Sequence, residues 1–506
     1  MSAAPVETEI KLLLKSGARA EIERHPAFAK ALRADPPRHE LTTYFDSDDL
    51  ALRRRGYSLR IRDLGGDRVQ TLKKVPADGA EAHQRNEWEW KLPGNRLALR
   101  PLGEVLDAEA ELAGKYRRAR SKFVTEISRR TYEILCEGAQ IEAVIDEGVV
   151  RAGDSEEEVS EIELEIKNGP PGPAYRLALD LLEHEPLSLG AESKADRGYR
   201  LLTGNETPAG KSRALALPRG ATLEAALKLT AESALRDFIA NMPAAHGGDP
   251  EGVHQMRVAL RRLRTMLVLF GPFLEPCAKE RFSDAVRDIA AVLGGARDWD
   301  VFADETLRAA RQAGIHAEWI GAFEEQAAKR REYAHREVRA LIDGKGPAEL
   351  VLGIEAWLSD AGWTAKLPSS AGTPVVKPMR DLLDRVARKV ARRGRDAAAL
   401  PPQELHPLRK SIKKLRYSSE SAGAMYSDRR AKDYVKRCKK LQTILGAIND
   451  AQVTLRLVQK MAPAHSAAGA PAAGAFHKWN LARQNEARKK LAKAWRKFER
   501  AEPFWQ

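Results

Sequence analysis

What the chain lacks narrows it first. Cysteine is scarce: Cys136, Cys277 and Cys438 are odd in number and far apart in 506 residues, which argues against a disulfide framework and against a cysteine-ligated zinc site. No run of 18 apolar residues occurs, and the N-terminus has no basic-then-apolar signal pattern, so a soluble, cytoplasmic protein without a membrane partner is expected. There is no Gly-x-x-x-x-Gly-Lys loop, which excludes a P-loop enzyme. Nor is there a Ser/His/Asp or Cys/His arrangement for covalent catalysis. Aromatics are only 6% of the chain, and few fall near its basic stretches.

Charge is abundant. Lys and Arg number 85 against 71 Asp and Glu, giving a net charge of +14 and a pI near 9.5. A polyanionic partner fits that balance, although charge sign alone does not separate polyphosphate, nucleotide, nucleic acid and acidic membrane. The length suits two or three domains, each with its own core.

The charges are patterned. In Glu7-Thr8-Glu9-Ile10-Lys11-Leu12-Leu13-Leu14, a period of two puts Glu7, Glu9 and Lys11 on one face and Ile10, Leu12 and Leu14 on the other. Arg60 and Arg62 alternate with Leu59 and Ile61; Glu87, Glu89 and Lys91 with Trp88 and Trp90; Glu161, Glu163 and Glu165 with Ile162, Leu164 and Ile166. Glu142 and Val144 lead into Asp146. One such strand is an ordinary solvated face. Five, with acid on some and base on others, predict a barrel whose polar interior holds metal ions and an anion.

Strands are expected around 5–14, 39–46, 56–64, 67–75, 83–92, 122–135, 140–151 and 158–168, and helices over 16–34, 48–54, 104–119 and 172–184. About eight antiparallel strands suit a closed or nearly closed barrel over 1–203. Patterning lapses over 204–220, the expected linker. Residues 221–506 then read as all helix, in two repeats over about 221–360 and 377–506. A soft break falls at 361–377, and an Ala/Pro/Gly tract at 462–475 reads as a mobile loop. His254-x-x-Arg257-x-x-x-Arg261-Arg262-Leu263-Arg264 recurs as His406-x-x-Arg409-x-x-x-Lys413-Lys414-Leu415-Arg416, and Leu293 to Asp298 matches Leu445 to Asp450. Both matches share the offset 406 − 254 = 450 − 298 = 152, which predicts a duplicated bundle. On helices, His254, Arg257, Arg261 and Arg264 form one stripe, and His406, Arg409, Lys413 and Arg416 another. Both stripes are expected to border one groove that binds a phosphate polymer. The scarcity of nearby aromatics favours polyphosphate over nucleic acid there.

Residues 1–203 resemble the CYTH domain, the triphosphate tunnel metalloenzymes. The pieces are Glu7-x-Glu9-x-Lys11, Tyr44-Phe45-Asp46, Leu52-Arg53-x-x-Gly56-x-x-Leu59-Arg60-Ile61-Arg62, Thr71-Leu72-Lys73, Arg85-Asn86-Glu87-Trp88, Ile145-Asp146-Glu147-Gly148, Glu161-Ile162-Glu163-Leu164-Glu165 and Glu192-Ser193-Lys194-x-x-Arg197-Gly198-Tyr199. The remainder resembles the CHAD domain, an all-helical module associated with polyphosphate. The pairing looks like the CYTH–CHAD inorganic triphosphatases.

The resemblance implies an α+β multidomain chain: an eight-stranded antiparallel β tunnel, then an all-α duplicated helical bundle. It implies hydrolysis of inorganic tripolyphosphate to diphosphate and phosphate with one or two Mg²⁺ or Mn²⁺ ions, at carboxylates drawn from Glu7, Glu9, Glu87, Asp146, Glu161, Glu163 and Glu165. The substrate's phosphates fall to Lys11, Arg60, Arg62, Lys73, Arg85, Arg129, Lys194 and Arg197, with Arg130 as a rival to Arg129 until strand register is known. Lys11, Tyr44 and Glu163 are the candidates at the reacting centre. Adenylyl cyclases and thiamine triphosphatases share the family, so an organic triphosphate is an alternative substrate, and a non-catalytic polyphosphate binder the alternative class. Oligomeric state stays open.

Overall fold

The computed structural model describes residues 9–15, 17–74, 86–204, 207–211, 217–218, 220–315, 317–360, 372, 374–426, 429–461 and 469–506. They group into two compact units. One holds 1–209 together with 242–247 and 340–360; the other holds 210–241, 248–339 and 361–506.

The first unit is built on a ten-stranded antiparallel sheet. Its strands are β1 (Glu9–Leu13), β2 (Arg33–Ala34), β3 (Arg38–Asp46), β4 (Tyr57–Asp63), β5 (Arg68–Lys74), β6 (Asn86–Leu92), β7 (Arg120–Cys136), β8 (Ala139–Ala152), β9 (Ser155–Asn168) and β10 (Ser188–Leu189). The pairing order is β10-β1-β9-β8-β7-β3-β4-β5-β6, with β2 added to β7. Among the described residues no ladder joins β6 back to β1. β2 and β10 are two-residue strands, below what a periodicity can reveal.

Period-two alternation divides the residues between two faces. On one, Leu52, Tyr57, Leu59, Leu72, Leu102 and Leu106 form a buried cluster under α3 (Ala51–Arg54) and α4 (Leu99–Leu106), with Trp88 and Trp90 packed against it. α1 (Arg19–Arg24) and α2 (Pro26–Ala29) also lie on that side, since Glu23 bonds Arg130 and Tyr132. A single helix over 16–34 was the expectation. Pro26 cannot donate to a continuing helix, so the chain stops at His25 and restarts. The helix expected at 104–119 forms earlier, at 99–106, and only a 3₁₀ turn, Lys115–Arg118, occupies its second half. Beyond β9 come α5 (Gly172–His184) and α6 (Lys194–Thr203).

The other face is apolar at one end. There Tyr44, Phe123, Ile127, Val150, Val159 and Tyr199 of α6 pack together, Phe123 stacking on Tyr44 at 4.6 Å and meeting Tyr199 edge-on at 5.0 Å. α6 seats there because Gly198 has no side chain: a Cβ would fall 2.1 Å from the Phe123 ring, which is held from both sides. Gly198→Ala is expected to destabilise this unit by about 1–3 kcal/mol, read as a lower melting temperature. An unchanged melt would show that α6 tolerates displacement.

The second unit is helical: α7 (Leu223–Ala240), α9 (Pro250–Leu269), α10 (Pro276–Val301), α11 (Leu307–Gln312) and most of α12 (Ala317–Ile342), then α14 (Val376–Arg393), α15 (Pro402–Tyr426), α16 (Arg429–Met461) and α17 (Gly469–Glu499). The short α8 (Met242–His246) and α13 (Gly346–Ser359) group with the first unit. α7, α9 and α10 pack in series, and α14, α15, α16 and α17 do the same. Trp299, Phe302, Phe323, Leu457, Val458, Met461 and Phe476 form a cluster joining helices of the two halves. The expected loop at 462–475 is corrected in part. Helix α17 already runs from Gly469, its Ala-rich composition outweighing one early proline, while 462–468 lie outside the described residues. No helix among the described residues is long and apolar enough to cross a membrane.

Candidate functional site

Strand register gathers the charged residues on one face. Lys11 of β1 lies opposite Glu163 of β9, Glu161 opposite Asp146 of β8, and Asp146 opposite Arg129 of β7. Across β3, β4, β5 and β6 the same face carries Tyr44 opposite Arg60, Thr42 opposite Arg62, and Lys73 opposite Glu87. Arg130, one residue out of phase, turns away to Glu23 at 3.1 Å. Register thus puts Arg129, not Arg130, on the charged face.

Its centre is a carboxylate triplet. Asp146, Glu161 and Glu163 have oxygens all within 4.8 Å of one another, and the first two are fully buried. Four cations surround them. The Lys11 ammonium donates to Glu161 (2.9 Å) and Glu163 (2.7 Å). The Lys194 ammonium reaches Asp146 at 2.7 Å, Glu163 at 3.1 Å, and Glu161. Arg129 forks onto both oxygens of Asp146 (2.8 and 2.6 Å) and also touches Glu163 (3.3 Å), while Arg197 donates to Glu161 at 2.9 Å. Lys194 and Arg197 stand three positions apart on the first turn of α6, which a Ser193–Asp196 capping box starts. Burial by itself would raise the Asp146 and Glu163 carboxyls. Lys194 and Arg129, joined for Glu163 by Lys11, outweigh it and hold both below the usual carboxylate range. Burial likewise opposes charge on Lys194, but Glu163, Asp146 and Glu161 raise its pKa.

Beside the triplet is a cationic patch. Arg60 and Arg62 are largely buried, and the Nε atom of each has no hydrogen-bond partner. Glu87 reaches Arg60 at 3.7 Å and Lys73 at 2.8 Å; Glu40 reaches Arg62 at 3.6 Å and Arg129 at 3.9 Å. Burial and the neighbouring Arg60 lower the pKa of Arg62, against the pull of Glu40. Tyr44 is buried with its hydroxyl on Arg60.

The other candidates stand around this centre. Glu9 pairs in register with Glu165 and is close enough to raise the pKa of Lys11. Glu165 instead shares Lys167 with Glu142. Glu87 belongs to the cationic patch. Glu7 and Arg85 lie outside the described residues. Sequence reasoning missed Glu40, a buried acid on the charged face. The signal was there: Glu40, Thr42 and Tyr44 share one alternation.

In the helical unit, both repeated stripes meet. Arg257 and Arg261 of α9 act on Lys413 of α15, as does Arg409 of α15 itself. Arg261 and Arg416 lie over the ring of Tyr417 at 5.1 and 4.8 Å. Arg261 and Arg409 each have a buried Nε atom without a partner. Burial and the neighbouring Arg297 lower the His254 pKa; His406 lies 3.1 Å from Asn449; Arg264 points out to solvent. Sequence reasoning missed Arg297, which acts on His254, and Arg456, which acts on Asp298, although Arg297 lies inside the repeated Leu293–Asp298 segment.

Burial and then Arg409, Arg261 and Arg257 pull the Lys413 amine down to about 7, against Asp450. The sign follows. Below pH 7 both folded and unfolded chains hold this proton; above it the folded chain releases the proton first, so stability rises with pH. Lys413→Met is therefore expected to raise the melting temperature more at pH 6 than at pH 9. Equal shifts at both would contradict this crowding.

Comparison with known proteins agrees with both halves. The CYTH domain family matches residues 6–199 and the CHAD domain family residues 230–459. A Haemophilus influenzae protein named inorganic triphosphatase is 27% identical over 31% of this chain and 45% of its own length. An uncharacterised Mycobacterium tuberculosis protein is 28% identical over 43% of the chain and 42% of its own length. The chain thus spans less than half of each of these curated relatives. The crystal structure of the CHAD domain from the plant Ricinus communis covers 58% of this chain and 98% of that one, with 25% identity and a TM-score of 0.51. The protein joins a CYTH domain to a CHAD domain.

Proposed function

We propose that the charged sheet face hydrolyses inorganic tripolyphosphate to diphosphate and phosphate, assisted by Mg²⁺ or Mn²⁺, and that the helical groove binds longer polyphosphate. The observation that carries this reading is the buried Asp146–Glu161–Glu163 triplet with Lys11, Arg129, Lys194 and Arg197 on its oxygens and Arg60 and Arg62 alongside. A pure anion binder has no need of buried carboxylates in its pocket. A triphosphate enzyme needs both kinds of group, because a cation must be held against an anion.

The donor set fits the ion. Three carboxylates within reach of one another offer hard oxygen ligands, which Mg²⁺ and Mn²⁺ prefer. Such an ion, bound at the triplet, supplies charge neutralisation of phosphate oxygens and a more acidic water. The chain's own groups do the rest. Arg60, Arg62 and Lys73 bind and orient the phosphates. Lys11, Lys194 and Arg197 keep positive charge beside the triplet, where negative charge accumulates on the leaving diphosphate. Glu163, held ionised by its neighbours, can accept a hydrogen bond from the attacking water. Tyr44 fixes Arg60 and closes the apolar end of the site. The relative named inorganic triphosphatase supports the choice of substrate.

Phosphorus NMR of the reaction tests that choice. Tripolyphosphate should yield diphosphate and phosphate in equal amounts, faster than ATP or thiamine triphosphate is cleaved. Preferential cleavage of either organic triphosphate, or formation of cyclic AMP from ATP, would replace this reading. Binding without any cleavage would leave a polyphosphate-binding protein.

A further inference from the structure

Away from the charged face, on the side of the sheet covered by α1 and α2, three metal-binding side chains converge that the proposed reaction does not use. His25 sits at the break between α1 and α2; Asp180 and His184 are one turn apart on α5. Each offers one ligand atom, all within 4.8 Å of one another. The two imidazole rings meet edge-on, 5.4 Å between centroids.

A hydrogen bond sets the His184 ring up as a ligand. His184 Nδ1 is 2.8 Å from the carbonyl oxygen of Asp180. A carbonyl oxygen can only accept, so Nδ1 carries a proton and Nε2 is the ligand nitrogen of the neutral ring, while that carbonyl and the carboxylates of Asp180, Glu183 and Glu185 raise the His184 pKa. A ring proton donated to a backbone carbonyl is how metal-ligating histidines are oriented. His25 is buried at 7% exposure, and its Nε2 lies 3.2 Å from Asp180 Oδ2 yet makes no hydrogen bond. It is a buried ring nitrogen whose near neighbour is the Asp180 carboxylate. Its Nδ1 accepts only a long 3.3 Å contact from the Ala27 N–H. Loading Nε2 moves the ring proton to Nδ1 and gives up that one contact, with no net proton lost from the neutral ring.

We propose that His25, Asp180 and His184 form a binding site for a borderline divalent transition metal such as Zn²⁺, which ties α5 to the α1–α2 junction. Two imidazoles and one carboxylate match zinc and its neighbours and not Mg²⁺. Zinc–ligand distances of about 2.0–2.2 Å require the donors to draw together by roughly 1 Å. Asp180 and His184, 52% and 59% exposed, have room to rotate. A water completes the shell. The site is separate from the carboxylate triplet in residues and in metal class, so it stands whatever the charged face does.

The test uses the full chain, stripped with chelator and titrated with Zn²⁺ in millimolar Mg²⁺, which occupies hard carboxylate sites and leaves imidazoles free. One equivalent of Zn²⁺ should bind and raise the melting temperature. His184→Gln, an exposed change that leaves the buried His25 alone, should weaken that binding at least about 10-fold. Asp180→Asn should weaken it too. Co²⁺ in place of Zn²⁺ should give the visible absorption of a nitrogen-ligated site, lost in the same variants. Binding should also fade as pH falls below the ordinary histidine range, because protonated imidazoles cannot ligate. Equal Zn²⁺ affinity in wild type and His184→Gln would overturn the proposal. So would a Zn²⁺ equivalent that disappears with Glu163→Gln instead, since the ion would then belong to the triplet.

Discussion

Glu163→Gln is expected to lower metal-dependent phosphate release from tripolyphosphate by at least about 100-fold, with the fold retained. The amide keeps the shape of the side chain and can still bond to Lys11 and Lys194. What it loses is the charge, on which the proposed cation binding and orientation of water depend. Folding should survive, because Glu163 also repels Asp146, and that repulsion disappears with the charge. Circular dichroism and an initial-rate assay on the same preparation separate the two effects. A folded variant within twofold of the wild-type rate would remove Glu163 from the reacting centre.

Lys194→Met should have the largest effect on stability. The Lys194 ammonium contacts all three carboxylates and is only 12% exposed. Removing one partner from a buried charge cluster costs about 3–5 kcal/mol, because the remaining charges lose their compensation. Part of this loss should return when Mg²⁺ or Mn²⁺ is added, since a ligand that binds only the folded chain stabilises it by mass action, about 2.7 kcal/mol at 100 times its dissociation constant. The pH dependence has a definite sign. Asp146 and Glu163 have lowered folded pKa values, so their contribution is present above the ordinary carboxylate range and is lost as pH falls through those folded values. Without Lys194 that loss should begin at higher pH. Thermal melts of wild type and variant, with and without Mn²⁺ and across pH, check each part. A variant that melts like wild type, or ignores the cation, would mean that the triplet is not the metal site.

The charged face was legible because strand alternation is a short-range rule: once Lys11, Arg60 and Glu163 are on strands, their side of the sheet follows. What alternation leaves open is phase. Arg129 and Arg130 are adjacent, and only pairing across β7 and β8 sends the first to Asp146 and the second to Glu23. Glu40 escaped because the next two residues of its alternation, Thr42 and Tyr44, carry no charge, and one acid beside them is an ordinary surface residue. α6 was read as a binding motif and not as a helix. At ten residues, rich in charge, it owes its form to the Ser193 cap and to packing on Phe123 more than to its own pattern. In the helical unit, Arg257 and Arg261 of one stripe lie near Arg409 and Lys413 of the other. The depressed amine of Lys413 was not legible, because it depends on how closely those cations are buried together. His25 and His184 are far apart in sequence, and nothing local announces that they meet.

The most direct test of the account is phosphate release from tripolyphosphate with Mg²⁺, with Mn²⁺ and with EDTA. Rapid release with either cation, abolished by the chelator and restored by adding the cation back, is the predicted result. Release that persists undiminished in EDTA would contradict the role given to Asp146, Glu161 and Glu163.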